Sequence, residues 1–193
     1  YACEQTTCPW VLWLDADERF TPEALQQVTR IFEQPGGPQY KGFAFPRKTF
    51  FMGRWIKHSG WYPQRKVRLW HRESGEIGGE QPHAHVEMRG PVCKLSGELL
   101  HYSYPNGFRD MVRISTRYAA EAAASRYAKG QRFSWWRLLL RPPAEFLKKY
   151  LLQLGVLDGL PGLTISAGGA YYRFMRQIIL WELAHLHESA RSD

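Results

Sequence analysis

The stretch WVLWLDADE, residues 10–18, decides how this chain is predicted to fold, because an uninterrupted apolar run ends in an acidic turn. Five apolar residues in a row are typical of a strand that is buried on both faces of a parallel sheet. Thr21 and Pro22 then occupy the N-cap and first position of a predicted helix, which the Gly- and Pro-rich segment 35–38 ends. The order strand, acidic turn, helix predicts an α/β fold.

Further along, the character of the chain changes near residue 105. Alternating residues predict strands over 41–51 and 65–71, and another short strand over 99–102. From residue 106 the apolar residues follow the helical period, and a helix over 134–141 is expected to break at Pro142–Pro143. We therefore expect two regions, an α/β domain over 1–105 and a mainly α-helical, amphipathic region over 106–193.

The composition is that of a globular protein with an excess of positive charge. The 193 residues include 26 Lys and Arg against 18 Asp and Glu, a formal net charge of +8, and 15% are aromatic. This excludes a disordered chain and favours an anionic partner, either nucleic acid, anionic lipid or a phosphorylated ligand. The three cysteines lack metal-ligand or disulfide spacing, which favours a reducing compartment. The sequence contains no apolar run of about 18 residues that would predict a membrane-spanning helix.

Asp15 and Asp17 are the sharpest chemical signal. They follow the predicted strand directly, at the edge where open α/β sheets bind their ligands. Two carboxylates two positions apart in a turn can both face a divalent cation, which would offset the cost of placing like charges together. The alternative is a solvated acidic turn whose carboxylates simply favour the N-terminus of the following helix.

Basic residues and histidines supply further candidates. Arg65 and Arg68, on a predicted strand, are either diphosphate-binding residues or solvated surface charges. His83 and His85 could place two imidazoles on one strand face as ligands of a transition metal, although no third ligand lies nearby in the sequence. His101 follows an apolar pair, and a buried structural histidine is the alternative to a ligand-binding one.

The segment 132–150 mixes aromatic and basic side chains. Trp135, Trp136, Phe146 and Tyr150 are interleaved with Arg and Lys residues. Such a segment can lie in the interface of an anionic membrane, with aromatic rings at headgroup depth and cations beside the phosphates. An ordinary amphipathic helix packed against the core is the alternative.

Several motifs together resemble family 2 glycosyltransferases. Residues 10–21 (WVLWLDADERFT) resemble the central metal-binding segment of that family, and residues 46–63 (PRKTFFMGRWIKHSGWYP) and 65–70 (RKVRLW) resemble a bacterial subgroup. That subgroup is associated with lipopolysaccharide inner-core synthesis, of the type that adds glucose to a core heptose. The similarity continues at LLHYSY (99–104), RPP (141–143) and LDGLPG (157–162), so the resemblance covers nearly the whole chain.

This resemblance implies a GT-A fold, a Rossmann-like sheet followed here by the helical region, and sugar transfer from a nucleotide-sugar donor. It implies that Asp15 lies near the ribose of the donor or the metal, while Arg65 and Arg68 are, from their charge, the candidates for binding the donor diphosphate. It also implies Mg²⁺ or Mn²⁺ held by Asp17, with Asp15 and His101 as further metal contacts. The candidates for holding the acceptor are Arg54, Trp55, His58 and Trp61.

Two departures from the family pattern bear on the expected activity. The family has an acidic residue directly after the histidine of its Gly-Gly-x-x-x-His segment, whereas His83 of GGEQPH (78–83) is followed by Ala84. Either Glu80 or His83 is then the candidate catalytic base, or the chain is impaired as a catalyst. The family's first nucleotide-binding strands would precede Tyr1, so we expect an N-terminally truncated chain that binds donor poorly by itself.

We expect a metal-assisted glycosyltransferase that acts on a lipopolysaccharide-core or related glycolipid acceptor. The expected partners are the nucleotide-sugar donor, this acceptor and an anionic membrane surface, without nucleic acid. The expected location is cytoplasmic and peripheral, on the inner face of the bacterial inner membrane. Two alternatives stay open: a non-catalytic basic module that binds membrane or nucleic acid, and a metal hydrolase built on His83 and His85.

Overall fold

The computed structural model describes residues 7–79 and 84–189, which divide into two compact units. The first, called the sheet unit, contains the described residues up to Phe50 together with Trp61–Ser103. The second, called the helical unit, contains Phe51–Gly60 and the described residues from Tyr104 onward. The helical unit thus includes residues 51–60 from the middle of the chain. The sequence-based division at residue 105 places this segment in the α/β domain.

The strands are short except for two. In chain order they are β1 (Trp10–Leu12), β2 (Glu18–Phe20), β3 (Gly42–Phe51), β4 (Arg54–Trp55), β5 (Gln64–His71), β6 (Gly75–Gly78), β7 (His85–Met88), β8 (Val92–Lys94) and β9 (Leu99–His101). The main sheet has the order β1–β5–β3–β9–β2, with β8 also paired to β3, and β6 and β7 form a separate antiparallel pair. The predicted strands over 41–51, 65–71 and 99–102 are confirmed as β3, β5 and β9.

The main sheet is mixed, and β1 differs in part from its prediction. Trp10 packs against the core cluster that includes Ala24, and Val11 packs in a second cluster with Trp70. Leu12 is 50% exposed, however, so the run is only partly buried and not covered along both faces as predicted. The neighbouring strand β5 is antiparallel, so the prediction of a parallel sheet is also wrong for β1. An apolar run indicates that a strand has neighbours on both faces, but it does not indicate whether the adjacent strand is parallel or antiparallel. The parallel pairs are β3 with β8 and β3 with β9.

Helix α1 (Pro22–Glu33) begins where the sequence predicts it. The Thr21 side chain accepts a hydrogen bond from the backbone N–H of Ala24 at 3.2 Å, which satisfies one of the free donors at the helix start. The helix packs over the sheet and closes the core of the unit. The buried members of this core are Ala24, Phe43, Phe45, Leu69 and Leu99.

The helical unit contains α2 (Phe108–Ala128), α3 (Trp135–Leu147) and α4 (Leu160–Ser189), and both α2 and α3 pack against α4. A π-helical turn (Lys148–Leu152) and a 3-10 turn (Gly155–Asp158) join α3 to α4. Among the helices described, we find none with the length and apolarity needed to cross a membrane. The mainly helical character predicted for the region after residue 106 is confirmed.

The expected break at Pro142–Pro143 is wrong, because α3 continues through both prolines. The two missing N–H groups would have bonded the carbonyls four positions earlier, at residues 138 and 139. The turn that contains those carbonyls is open, since Leu139 is 60% exposed and Leu140 is 59% exposed.

The predicted α/β class is confirmed, with a mixed sheet and four helices among the described residues, while the GT-A assignment stays a prediction.

Candidate functional site

The acidic turn between β1 and β2 is held by backbone hydrogen bonds at both ends. The N–H of Trp13 donates to the carbonyl of Arg68 at 2.8 Å, and the N–H of Glu18 donates to the carbonyl of Asp15 at 2.9 Å. On the other side, the N–H of Tyr102 donates to the carbonyl of Asp17 at 2.9 Å. The two predicted aspartates therefore lie on a turn that is clamped between β5 and the end of β9.

A buried ionic cluster lies under this turn. Arg68 forms an ion pair with Asp15 and a second one with Glu18, whose Oε1 lies 2.7 Å from Nη2 of Arg68. Glu18 is only 3% exposed, and Arg47 lies 3.8 Å from the same oxygen. A carboxylate this deeply buried requires partner cations, because its desolvation cost is otherwise uncompensated. Arg68 also lies 5.1 Å from the ring centre of Trp13, close enough for a cation–π contact.

A second group of polar side chains links the turn to β9. The hydroxyl of Ser103 donates to Oδ2 of Asp17 at 2.6 Å and contacts Nε2 of His101. That nitrogen lies 3.4 Å from Oδ2 of Asp17. Nδ1 of His101 lies 3.1 Å from the hydroxyl of Thr49, on the neighbouring strand β3. We call Asp17, His101, Ser103 and Thr49 the Asp17–His101 cluster.

The environment keeps the imidazole of this cluster neutral. Burial lowers the pKa of His101 to about 4, and the nearby Arg47 cation acts in the same direction, whereas Asp17 acts against them. Burial is also the main cause that lowers the pKa of Arg47. A neutral imidazole binds a metal ion through a nitrogen lone pair, so a metal-bound form would replace the contact between Nε2 and Ser103 by the ion.

Asp17 and His101 fit a divalent cation that takes its remaining ligands from substrate and water. They supply one carboxylate oxygen and one imidazole nitrogen side by side, and the Asp17 side chain is 40% exposed. Mg²⁺ is commonly held by one or two carboxylates plus substrate phosphates, so a two-residue protein contribution suffices. Within residues 7–79 and 84–189, no group of three or more His, Cys, Asp or Glu side chains is arranged to hold a metal. Asp15, predicted as a further ligand, forms an ion pair with Arg68, and its role as a ligand stays a prediction.

The two predicted diphosphate residues have different environments. Arg65 is exposed, and its guanidinium donates to the carbonyl of Leu95 at 2.5 Å. Arg68 is 4% exposed and directed at Asp15 and Glu18. The structure therefore places Arg65 where a solvent-borne anion can reach it and uses Arg68 to neutralise the acidic turn.

The predicted acceptor residues fall into both units. Arg54, Trp55 and His58 belong to the helical unit, and Trp61 belongs to the sheet unit. His58 is held by Asp158, whose carboxylate accepts the backbone N–H of His58 at 2.8 Å and lies 3.1 Å from its Nδ1. The same carboxylate lies 3.4 Å from the backbone N–H of Lys57.

The remaining histidine and base candidates are only partly described. Glu80 and His83, the candidate catalytic bases, lie outside the described residues. His85, the second member of the metal-hydrolase alternative, is on β7, and its Nε2 lies 3.6 Å from Glu87. That alternative stays a prediction.

Several site residues were not singled out from the sequence. Strand pairing brings three of them to the site: Glu18, Arg47 and Thr49. Glu18 on β2 and Thr49 on β3 are both paired with His101 on β9, and Arg47 is paired with Leu99 on the same strand. Ser103 could have been found from its position two residues after His101, since alternate residues of an extended segment share a face. Asp158 lies in the LDGLPG motif and is 2% exposed, which only the fold reveals.

Comparison with known proteins finds similarity to bacterial glycosyltransferases. No family model matches it. The lipopolysaccharide core biosynthesis glycosyltransferase LpsC of Rhizobium meliloti is 24% identical over 177 residues, covering 91% of this chain and 64% of the relative. Two uncharacterized glycosyltransferases, RT0209 of Rickettsia typhi and RP128 of Rickettsia prowazekii, are 27% and 24% identical, each over 91% of this chain and 63% of the relative.

The chain thus spans a little under two thirds of the length of these curated relatives. The predicted resemblance to glycosyltransferases is confirmed, because all three relatives are named as glycosyltransferases. Over nine tenths of its length, this chain is similar to bacterial glycosyltransferases, one of which is named for lipopolysaccharide core biosynthesis.

Proposed function

We propose that this protein is a family 2 glycosyltransferase of GT-A type that transfers a sugar from a nucleotide-sugar donor to a lipopolysaccharide-core or related glycolipid acceptor. The similarity to LpsC and to the two rickettsial proteins supports the reaction class. The observation that carries the site is the position of the Asp17 carboxylate, 3.4 Å from Nε2 of His101 and partly exposed. Among the described residues of the acidic turn, Asp17 pairs with a histidine, whereas Asp15 and Glu18 pair with Arg68.

In this proposal Asp17 and His101 hold Mg²⁺ or Mn²⁺ beside the donor diphosphate. The ion would supply positive charge that stabilises the leaving nucleoside diphosphate as its negative charge develops. Ser103 orients the Asp17 carboxylate through its 2.6 Å hydrogen bond, and Thr49 fixes the ring of His101 through Nδ1. Such supporting contacts set the orientation and basicity of metal ligands.

The buried cations have a separate role. Arg68 neutralises Asp15 and Glu18, so the acidic turn keeps one conformation without help from a ligand. Arg65, exposed on the same strand, is the residue we assign to the donor diphosphate. Asp15 would then contact the donor only through its partly exposed carboxylate, which is 39% exposed.

The chemical step needs an acceptor site and a base. The acceptor hydroxyl oxygen forms a bond to the anomeric carbon, the bond from that carbon to the diphosphate oxygen breaks, and the hydroxyl proton passes to the base. We assign the base to Glu80 or His83, and acceptor binding to Arg54, Trp55, His58 and Trp61. We place the reaction at the cytoplasmic face of the bacterial inner membrane, where a soluble donor can meet a lipid-linked acceptor.

The test uses the full-length protein with radiolabelled nucleotide sugars and a lipopolysaccharide-core acceptor. Asp17→Asn should lower the transfer rate at least about 100-fold and weaken Mn²⁺ binding, measured by electron paramagnetic resonance, at least about tenfold. Glu87→Gln, which removes an exposed carboxylate on β7, is the control and should change neither quantity. An Asp17→Asn protein with an unchanged rate would refute the metal role, and absence of transfer from every donor would favour the non-catalytic alternative.

A further inference from the structure

Helix α3 has an exposed apolar face, and we propose that this face inserts into the interfacial layer of an anionic lipid bilayer. The face comprises Trp135, Trp136, Leu139, Leu140, Leu147, Leu151 and Leu152, the last two in the π-helical turn that follows α3. We call these seven residues the leucine stripe. The identity of the bilayer as the inner membrane rests on the proposed function, but the stripe itself is argued from exposure and charge.

The polarity of α3 is the reverse of a water-facing helix. Residues of the stripe recur three or four positions apart, so they lie along one face. Their exposure is high, with Trp136 at 74% and Leu152 at 81%. A surface helix in water normally turns its apolar face to the core and its charged face outward. A contiguous exposed apolar face of this kind marks an interaction surface.

Two charged residues of the same segment, Glu145 and Lys149, face the protein. Glu145 pairs with Arg173 of α4 at 3.0 Å and lies 3.9 Å from Lys149. The ammonium group of Lys149 also lies 3.4 Å from the carbonyl of Ser59. The Glu145 side chain is only 15% exposed and that of Lys149 only 20%. These two charged side chains therefore make internal contacts, whereas the tryptophan and leucine side chains of the stripe are exposed.

The apolar surface continues into the start of α4. The 3-10 turn buries Gly155 and Asp158 and leaves the intervening apolar residues exposed. Leu157 is 62% exposed and Leu160 is 64% exposed. The carboxylate of Asp158 holds the backbone of residues 57 and 58, so this turn is anchored while its apolar side chains point away from the unit.

The exposed charges around the stripe are cationic. Segment 132–163 contains two acidic residues, Glu145 and Asp158, and both are withdrawn from the surface. Arg132, Arg141 and Lys148 are exposed in the same segment. Aromatic and leucine side chains bordered by cations are complementary to a surface of acyl chains and anionic headgroups.

A second copy of this chain is the less suitable occupant. A two-fold symmetric interface pairs the same patch with itself, which would bring the exposed cations of both copies into one interface. The described helices include none that could span a bilayer, so the mode that fits is a helix lying in the plane of the interface. The rings of Trp135 and Trp136 would then lie at headgroup depth.

The experiment is vesicle sedimentation of the full-length protein. Vesicles of phosphatidylcholine alone are compared with vesicles containing phosphatidylglycerol, at low and high salt. We expect binding to the anionic vesicles, weaker at high salt. The double variant Leu151→Ser/Leu152→Ser should bind at least about tenfold more weakly, because two apolar side chains no longer enter the bilayer. The rings of Trp135 and Trp136 should show a blue-shifted emission on binding in the unmodified protein.

The matched control is Leu25→Ser, because Leu25 on α1 is as exposed as Leu151, at 52% each. Its vesicle binding should equal that of the unmodified protein, and circular dichroism should show all variants folded. Equal binding by the double variant and the unmodified protein would overturn the proposal. So would a change of oligomeric state by light scattering in the double variant, since that result identifies the stripe as a protein interface.

The outcome separates this inference from the proposed function. The Asp17→Asn protein should bind vesicles normally, since Asp17 lies in the sheet unit and outside the stripe. If the unmodified protein binds vesicles but transfers no sugar, the proposed membrane-binding surface is supported and the proposed glycosyltransferase function is contradicted. If it transfers sugar but does not bind vesicles, the glycosyltransferase function is supported and the membrane-binding surface is contradicted.

Discussion

Replacing Arg68 by methionine tests whether the acidic turn depends on a buried cation. The guanidinium of Arg68 is the partner of both Asp15 and Glu18, and its side chain is 5% exposed. Methionine keeps much of the length and apolar volume of arginine but removes the charge. In the variant, Arg47, at 3.8 Å, is the cation that remains within ion-pair distance of Glu18 among the described residues.

The magnitude follows from how completely each carboxylate is enclosed. Removal of one partner of a buried ion pair costs about 3–5 kcal/mol, because the other charge is left uncompensated. The Glu18 side chain is fully enclosed, at 0% exposure, whereas that of Asp15 is 39% exposed and can be hydrated. Arg47 also compensates Glu18 in part. We therefore expect the lower end of the range, a loss of about 3 kcal/mol in the free energy of unfolding.

The assay is urea unfolding followed by circular dichroism and by tryptophan fluorescence, which the contact between Arg68 and Trp13 makes sensitive to this site. Arg65→Met, at an exposed position on the same strand, is the control and should lose no more than about 1 kcal/mol. The double variant Arg68→Met/Glu18→Leu should regain at least about 1 kcal/mol over the single variant, because no unpaired carboxylate remains inside. A single variant within 1 kcal/mol of the unmodified protein, or a double variant that is less stable than the single one, would refute the electrostatic explanation.

Two further substitutions test the helical unit. Asp158→Asn should speed amide hydrogen exchange at Lys57 and His58 by about tenfold, since the side chain loses its charge and one of its acceptor oxygens; unchanged exchange rates would show that these contacts do not hold the loop. Gly162→Ala should cost about 1–3 kcal/mol, because the new Cβ would overlap a backbone carbonyl. Gly168→Ala on the same helix would meet only the end of a methionine side chain and should stay within about 1 kcal/mol of the unmodified protein by thermal unfolding; equal losses in the two variants would argue against the close approach.

Local signals account for the elements that were predicted correctly. Helix α1 starts at its Thr–Pro signal because the N-cap side chain and the fixed φ of proline act within one turn. β3 and β5 lie where the alternating sequence predicts strands, and reading that pattern requires no knowledge of the neighbouring strands. The acidic turn directly after a buried strand was likewise visible, since its carboxylates are adjacent in the chain.

Long-range pairing explains what the sequence left open at the site. Asp15 and Arg68 are 53 positions apart, and Thr49 and His101 are 52 positions apart. These contacts depend on the register of β5 against β1 and of β3 against β9, which no local pattern specifies. The two aspartates were therefore predicted to share a cation, whereas the fold gives Asp15 an arginine and Asp17 a histidine.

The helical region shows most clearly which features local sequence determines and which depend on long-range contacts. The sequence by itself determined that residues after 106 form amphipathic helices, because the period of apolar residues is a property of the chain alone. It did not determine which face of α3 turns outward, or that α3 continues through Pro142–Pro143. Tertiary structure decided both: Glu145 pairs with Arg173 of α4 on the inward side of the helix, and the turn before the prolines is exposed at Leu139 and Leu140.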